Sequence, residues 1–285
     1  MVSVFIPSSE LHVRHKFRKP RDQVLEEALA IVEYTRDHGI AVRFAAEDAS
    51  RTDIPFLREM YRRGAEHGAE YLSFADTVGC LTPLQIHRVF AELSASVDGL
   101  LCAHCHNDMG LATANTLAAA EGGAYQLHTT VNGIGERAGN AALEEVLVAL
   151  RMVGGIDRYD LSHLKNISTM VEQYSGIPVA KNKAVVGEFA FTHESGIHIA
   201  AILEDPLTYE SIPPELVGAE RRFVLGKHTG KKALEHVIQK LGYNLSEDEI
   251  CWILEQVKLR SEHKCSVSPE MLQKLIRDAE GKCQP

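Results

Sequence analysis

The chain is 285 residues long, 45% apolar and 24% charged, with a net charge of -9 at pH 7 and a pI near 5.9. That is enough apolar material for one large domain or two small ones. An acidic balance without a long basic run gives no reason to expect nucleic acid or a membrane surface as a partner; no apolar stretch approaches the ~18 residues of a membrane span, and Met1-Val-Ser-Val-Phe-Ile-Pro7 lacks the build of a signal peptide. Six scattered cysteines (Cys80, Cys102, Cys105, Cys251, Cys265, Cys283) read as reduced thiols of a cytoplasmic protein, not as a disulfide framework.

Short β-branched runs alternate with longer amphipathic ones. Val2–Ile6 reads as a strand. Arg21–Asp37 follows as a helix, with Val24, Ala28, Ile31 and Val32 on one face and Gly39 past its end. Val42–Ala45 is the next strand, with a helix over Ile54–His67. Tyr71–Phe74 is the third, and its helix opens with Thr82 as N-cap and Pro83 at the first helical position. Leu100–His104 precedes a helix from Ala112, and Tyr125–Thr130 precedes one over Ala141–Arg151. Five βα units in a row imply parallel strands with helical crossovers. After Gly154 the rhythm changes. A helix over Leu161–Tyr174 is followed by an irregular stretch to Val224 containing Pro206, Pro213 and Pro214, then by helices over Lys231–Leu241, Glu247–Glu262 (capped by Ser246) and Ser268–Glu280.

Periodicity does not separate a doubly wound sheet from a (β/α)8 barrel, but polar residues do. Clusters follow every strand: Ser8, Ser9, Glu10 and His12; Glu47 and Asp48; Asp76 and Thr77; His104, His106, Asn107 and Asp108; Asn132, Glu136, Arg137 and Asn140. Sites built from the ends of many successive strands belong to a barrel's top face, whereas an open sheet gathers them at one switch point. The expected fold is α/β: an incomplete (β/α)8 TIM-barrel type of about five units over residues 1–153, then linker and mainly helical subdomains over 154–285.

Ala103-His104-Cys105-His106-Asn107-Asp108 carries the strongest chemical signal. Strand alternation puts His104 and His106 on one face and Cys105 on the other. Two imidazoles at a strand's end make a pair of metal ligands, with Asn107 or Asp108 placed to hold a ring nitrogen; the bland alternative is a pair of surface or core histidines. Cys102 and Cys105 face opposite sides, which argues against a zinc knot. Glu47 can serve as a general acid or base at a strand end, while Asp48 or Asp53 suits a helix cap. Arg43 shares a face with Ala45 and Glu47, as a carboxylate clamp or a rim salt bridge. Thr77 offers a hydroxyl to the same carboxylate, or a turn hydrogen bond. Asn132–Asn140 is Gly-rich but misses the dinucleotide fingerprint, and Gly226-Lys-His-Thr-Gly-Lys231 falls one residue short of a P-loop, so nucleotide hydrolysis is rejected.

Together these motifs resemble one family. His104-Cys-His-Asn-Asp-Met-Gly110, Asn132-Gly-Ile-Gly-Glu-Arg-Ala-Gly-Asn140, Ala46-Glu-Asp-Ala-Ser-Arg51 and Asp76-Thr-Val-Gly79 look like the barrel of the Claisen-condensing DRE-TIM metallolyases. Thr192-His-Glu-Ser-Gly-Ile-His198, Asp205-Pro-Leu-Thr-Tyr209 and Leu225-Gly-Lys-His-Thr-Gly230 look like the linker region of homocitrate and isopropylmalate synthases. The resemblance implies an acyltransferase that condenses acetyl-CoA with a 2-oxoacid at a divalent metal (Mn, Mg or Zn). His104 and His106 would bind the metal, with Asn140 in or near its shell. Glu47 would carry the acid/base chemistry, and Arg43 and Thr77 would contact the 2-oxoacid. His198 and Tyr209 would assist at a neighbouring subunit's barrel in a homodimer. Arg43 favours 2-oxoglutarate, hence homocitrate, over the apolar 2-oxoisovalerate of isopropylmalate synthases; a Re-type citrate synthase using oxaloacetate also fits an arginine, and a cleaving lyase is disfavoured by the linker motifs. The family's opening Arg-Asp-Gly-(Glu)-Gln run has no counterpart here, since Arg36-Asp-His-Gly39 ends a helix. Val2–Ile6 then corresponds to the fourth barrel strand, so three βα units would come from an upstream segment or a separate chain; the alternative of another class is a catalytically incomplete fragment or a subunit of a split enzyme.

Overall fold

Strands separated by a helix's length of chain pair in parallel, and five of them do so here. The computed structural model describes residues 1–261 and 267–282. The chain divides into two compact units, Met1–Tyr159 and Asp160–Pro285. In the first, β1 (Val2–Pro7), β2 (Val42–Glu47), β3 (Tyr71–Asp76), β4 (Leu100–Cys105) and β5 (Gln126–His128) form one sheet in the order β1-β2-β3-β4-β5, every neighbouring pair parallel. Among the described residues β1 and β5 are the sheet's outer edges, so it is a five-strand sector of the expected barrel and not a closed one.

Two short turns follow β1, a one-turn helix α1 (Glu10–His12) and a π-helical turn (Val13–Phe17). The crossover helices are α2 (Arg21–Asp37), α3 (Ile54–Glu66), α4 (Pro83–Ser94), α5 (Ala112–Glu121) and α6 (Leu143–Met152). Their starts are chemically specified. The Asp53 side chain caps α3 by accepting from the Phe56 N–H, so Asp53 takes the capping role and Asp48 does not. Thr82 is the N-cap of α4, and its own N–H donates to the Gln85 side chain while Pro83 sits at the first position. The apolar stripe of α2 is Val24, Leu25, Ala28, Leu29 and Val32. Ile31 lies off it and is 53% exposed, because the buried set extends round to 25 and 29 and position 31 sits about 90° of helix rotation from its centre.

The even-numbered residues of β1, β2 and β3 and the odd-numbered ones of β4 lie under the helices. Phe44, Phe74 and Leu72 are buried there with Leu57, Met60, Tyr61, Ile86, Phe90 and Leu93. Phe74 and Phe90 meet edge to face at 5.4 Å. Gly64 of α3 lies flat on the Phe44 ring, and a Cβ there would overlap it. That packing fixes strand register, because a slip of one residue would turn the core face outward.

The second unit has a different build. α7 (Leu164–Ser175) precedes a two-stranded parallel sheet, β6 (Thr192–His193) with β7 (Arg222–Phe223), and α8 (Gly196–Glu204) lies between those strands in sequence. α9 (Lys231–Lys240), α10 (Glu247–Ser261) and α11 (Pro269–Lys282) follow. Leu234, Ile238, Ile253, Val257, Leu275 and Ile276 of the last three helices are buried together. Residue 262 of the predicted Glu247–Glu262 helix, Cys265 and Cys283 lie outside the described residues. Cys80, Cys102, Cys105 and Cys251 are free thiols. No described helix is long and apolar enough to cross a membrane.

Candidate active site

The opposite face of the five-stranded sheet lines a cavity of about 540 Å3, and residues of all five strands and the ends of two reach it: Ser3 and Phe5; Arg43, Ala45 and Glu47; Ser73, Ala75 and Thr77; His104 and His106; His128. Strand alternation alone places these side chains. Parallel register then stacks them in layers, with Ala75 beside His104 and His104 beside His128. Five of the residues predicted from sequence, Arg43, Glu47, Thr77, His104 and His106, are thereby gathered in one cavity, while Cys105 faces the core.

At the C-terminal end, His104 and His106 meet edge to face with ring centroids 5.1 Å apart. Burial depresses the basicity of His104, helped by His106 and Arg43; burial also lowers that of His106, with Arg137 adding to it. Both shifts favour the neutral ring, the form that ligates metal. His106 is bridged to Asn140 in an isolated antiparallel pair. His106 Nδ1 and Asn140 Oδ1 are each buried without a hydrogen-bond partner. Two orphaned lone pairs on adjacent residues are costly in a dry site and fit a divalent cation, so the donor set is compatible with the predicted metal. No group of three or more His, Cys, Asp or Glu among the described residues could hold one, so the protein donors identified number two imidazoles and one amide.

The prediction that Asn107 or Asp108 steadies a histidine ring is corrected. Asn107 Oδ1 accepts from the Ala112 N–H at the start of α5. Asp108 takes both Nε and Nη2 of Arg137, whose Nη2 also donates to the Thr77 carbonyl. This clasp ties the loops after β3 and β4 to the Gly-rich loop. That loop folds back on itself at Gly139 (φ +89), where a side chain would strike the Gly133 carbonyl, and so it delivers Asn140 to the site.

Glu47 is engaged by His12, from the polar cluster after β1, and by Lys16, which sequence reasoning did not single out. Lys16 Nζ lies 2.6 and 2.9 Å from its two oxygens, and His12 Nδ1 is 3.4 Å away. Thr77 Oγ1 accepts from the Asp48 N–H at 2.8 Å, which leaves its own O–H free to donate. Asp48 is wholly buried at φ +60 and bonded to Ser9 and Arg51. At the other end of the cavity Arg43 Nη2 donates to Gln126 Oε1 at 2.6 Å, across two intervening strands. The same oxygen lies 3.1 Å from His128 Nε2 and 3.6 Å from Cys102 Sγ. Arg43 Nε is buried and unpartnered. Burial, then Arg43 and His104, lower His128 to about 4. Gln126 and His128 were legible by the alternation that singled out His104 and His106, applied to Gln126-Leu127-His128.

His198 and Tyr209 belong to the second unit, where their rings stack at 4.1 Å. Next to Tyr209, the buried Glu210 receives Arg221 Nε and Nη2 at 2.7 and 2.5 Å and lies 2.9 Å from His193 Nε2.

The HMGL-like family profile matches residues 1–171, and the homocitrate synthase post-HMGL domain-like profile matches residues 185–265. Homocitrate synthase AksA of Methanosarcina mazei is 52% identical over all of this chain and 71% of its own length. An (R)-citramalate synthase CimA of Methanocaldococcus jannaschii is 44% identical over 99% of the chain and 57% of its own length. A hydroxymethylglutaryl-CoA lyase crystal structure from Bacillus subtilis superposes with TM-score 0.56 at 23% identity, over 62% of this chain and 64% of the lyase, a likeness of fold. The chain thus spans about seven-tenths of the first relative and less than two thirds of the lyase. Its two matched regions, in this order, place it in the HMGL-like family, in the homocitrate synthase and isopropylmalate synthase branch.

Proposed function

We propose that the chain carries the catalytic face of an acyltransferase that condenses acetyl-CoA with 2-oxoglutarate to give homocitrate. The observation that carries this reading is the single cavity holding Glu47, Arg43, Thr77, His104 and His106, in a chain 52% identical to a homocitrate synthase. A divalent ion held by His104, His106 and Asn140 would polarise the ketone of the bound 2-oxoacid. Glu47 moves the protons: it takes one from the acetyl methyl, whose carbon then bonds to the ketone carbon, before thioester hydrolysis releases the thiol of coenzyme A. The free Thr77 hydroxyl donates to the 2-oxoacid carboxylate. Arg43 has one N–H held by Gln126 and its buried Nε left over; a second carboxylate on the substrate answers that donor and the methyls of 2-oxoisovalerate do not. The competing specificities are 2-oxoisovalerate, as in an isopropylmalate synthase, and oxaloacetate, as in a Re-type citrate synthase. His198 and Tyr209, stacked in the second unit, assist at the barrel of a homodimeric partner, and the protein works in the cytoplasm.

The open edges favour a further element. Phe5 on β1 and Tyr125 beside β5 are 68% and 67% exposed, and a groove of about 680 Å3 between β5, α5 and α6 is lined by Leu127, Val146 and Leu150. Unpaired parallel edges recruit further strands, here βα units from an upstream segment or a separate chain. The test is thiol release from acetyl-CoA with Mn2+ or Zn2+ and 2-oxoglutarate, oxaloacetate, pyruvate or 2-oxoisovalerate in turn. Release that depends on 2-oxoglutarate is expected once both edges are paired. Release with pyruvate or 2-oxoisovalerate alone would replace the homocitrate assignment.

A further inference from the structure

One short stretch runs against the charge of the molecule. The whole chain has 39 acidic and 30 basic residues, yet His12-Val-Arg-His-Lys-Phe-Arg-Lys-Pro-Arg21 holds Arg14, Lys16, Arg18, Lys19 and Arg21 with no acid among them. The structure places this stretch at the rim of the cavity, because Lys16 and His12 reach Glu47 on the cavity wall. Lys19 and Arg21 are spoken for by Glu27 and Asp53. Arg14 and Arg18 are exposed and make no ion pair among the described residues. The backbone here is unusual: Val13–Phe17 is a π-helical turn that ends on Arg18 at φ +54. Both features cost free energy, and such turns recur at functional sites.

Lys16 presents a chemical conflict. The two Glu47 oxygens that would have to reach the substrate's C–H are both occupied by the Lys16 ammonium. The conflict is resolved if the ammonium has an alternative anion when substrate is present. We propose that residues 12–21 form the phosphate-binding rim of this site, that Arg14 and Arg18 hold the phosphates of the thioester co-substrate, and that Lys16 passes from Glu47 to a phosphate when that co-substrate binds. The inference rests on the acyltransferase reading. Phosphates make charge-assisted bonds to arginine in fork geometry, and a local cluster of cations also steers an anion toward an otherwise acidic protein. Binding of the co-substrate then frees the group that must take its proton.

The test is calorimetric titration of the 285-residue chain at low salt with coenzyme A, with 3′,5′-ADP as its nucleotide end alone, and with orthophosphate. It is repeated on Arg14→Gln/Arg18→Asn, in which asparagine keeps the positive φ accessible, and on Lys16→Gln, with far-ultraviolet circular dichroism to check folding. Expected is binding of coenzyme A and 3′,5′-ADP far tighter than orthophosphate, weakened at least about tenfold in the double variant and weakened also by Lys16→Gln. Unchanged coenzyme A affinity in folded variants overturns the rim and leaves the acyltransferase reading intact. Orthophosphate binding as tightly as the nucleotide overturns it in favour of a general anion site. A wild-type chain that binds neither coenzyme A nor 3′,5′-ADP also overturns the rim, while the acyltransferase reading stands or falls by thiol release.

Discussion

The two units hold their candidate functional groups by different physics. In the first, position follows from period: every second residue of a buried parallel strand faces the cavity, and register aligns one strand's residue with the next. The side chains stand on a rigid sheet, and their surroundings are small (Ser3, Ala45, Ser73, Ala75). In the second, His198 and Tyr209 come from a nine-residue helix and from the residue after a one-turn 3-10 helix, next to a buried carboxylate bonded to Arg221 and His193. A site on a sheet tolerates loss of a functional group, because its backbone does not depend on that group. A site held by an ion network does not.

The sharpest separation of the two is Glu47→Gln. Thiol release is expected to fall by about 10²–10⁴-fold, the range for loss of a positioned acid or base, with metal content and thermal midpoint near wild type. Unchanged turnover removes Glu47 from the chemistry. The counterpart in the second unit is Glu210→Gln, which leaves the partly exposed Arg221 without its counter-charge and is expected to destabilise that unit by about 2 kcal/mol, the loss of a charge-assisted hydrogen bond, read by denaturant unfolding. The pH dependence carries the same sign. Arg221 foremost, then His193, holds the Glu210 carboxyl below its ordinary 4.5 against the effect of burial. Its contribution is therefore complete above about pH 4.5 and is lost as pH falls toward the depressed value; the Gln variant should show a shallower acid limb. Arg43→Ala should raise KM for 2-oxoglutarate on the order of 10–100-fold, the range for one buried charged hydrogen bond, and leave 2-oxoisovalerate nearly unaffected; equal effects would sink the clamp. The smallest effect is expected from Arg137→Ala, which loosens the loop bearing Asn140 and should weaken Mn2+ binding about tenfold in a chelator competition. No change there would confine the clasp to structure.

Much of the first unit was legible, because strand and helix periods are local. The common face of His104 and His106, the opposite face of Cys105, the start of α4 at Thr82-Pro83 and the parallel order all follow from spacing. The partners of those groups did not. Lys16 meets Glu47 over 31 residues of chain and Arg43 meets Gln126 over 83, and such pairs depend on curl and crossover that a one-dimensional pattern does not encode. Asp108 was assigned to a histidine because it is close in sequence, yet Arg137, 29 positions on, outcompetes the ring with two charge-assisted bonds. β6 and β7 are two residues each, too short to have a period, so the stretch to Val224 read as irregular.

The Arg137–Asp108–Thr77 clasp also bears on kinetics. Three loops are joined by Arg137, so the proposed cation capture at His106 and Asn140 need not wait for a segment to order. Association should then follow a single exponential whose rate rises linearly with cation concentration, with no plateau from a preceding rearrangement. Releasing the clasp should introduce that plateau.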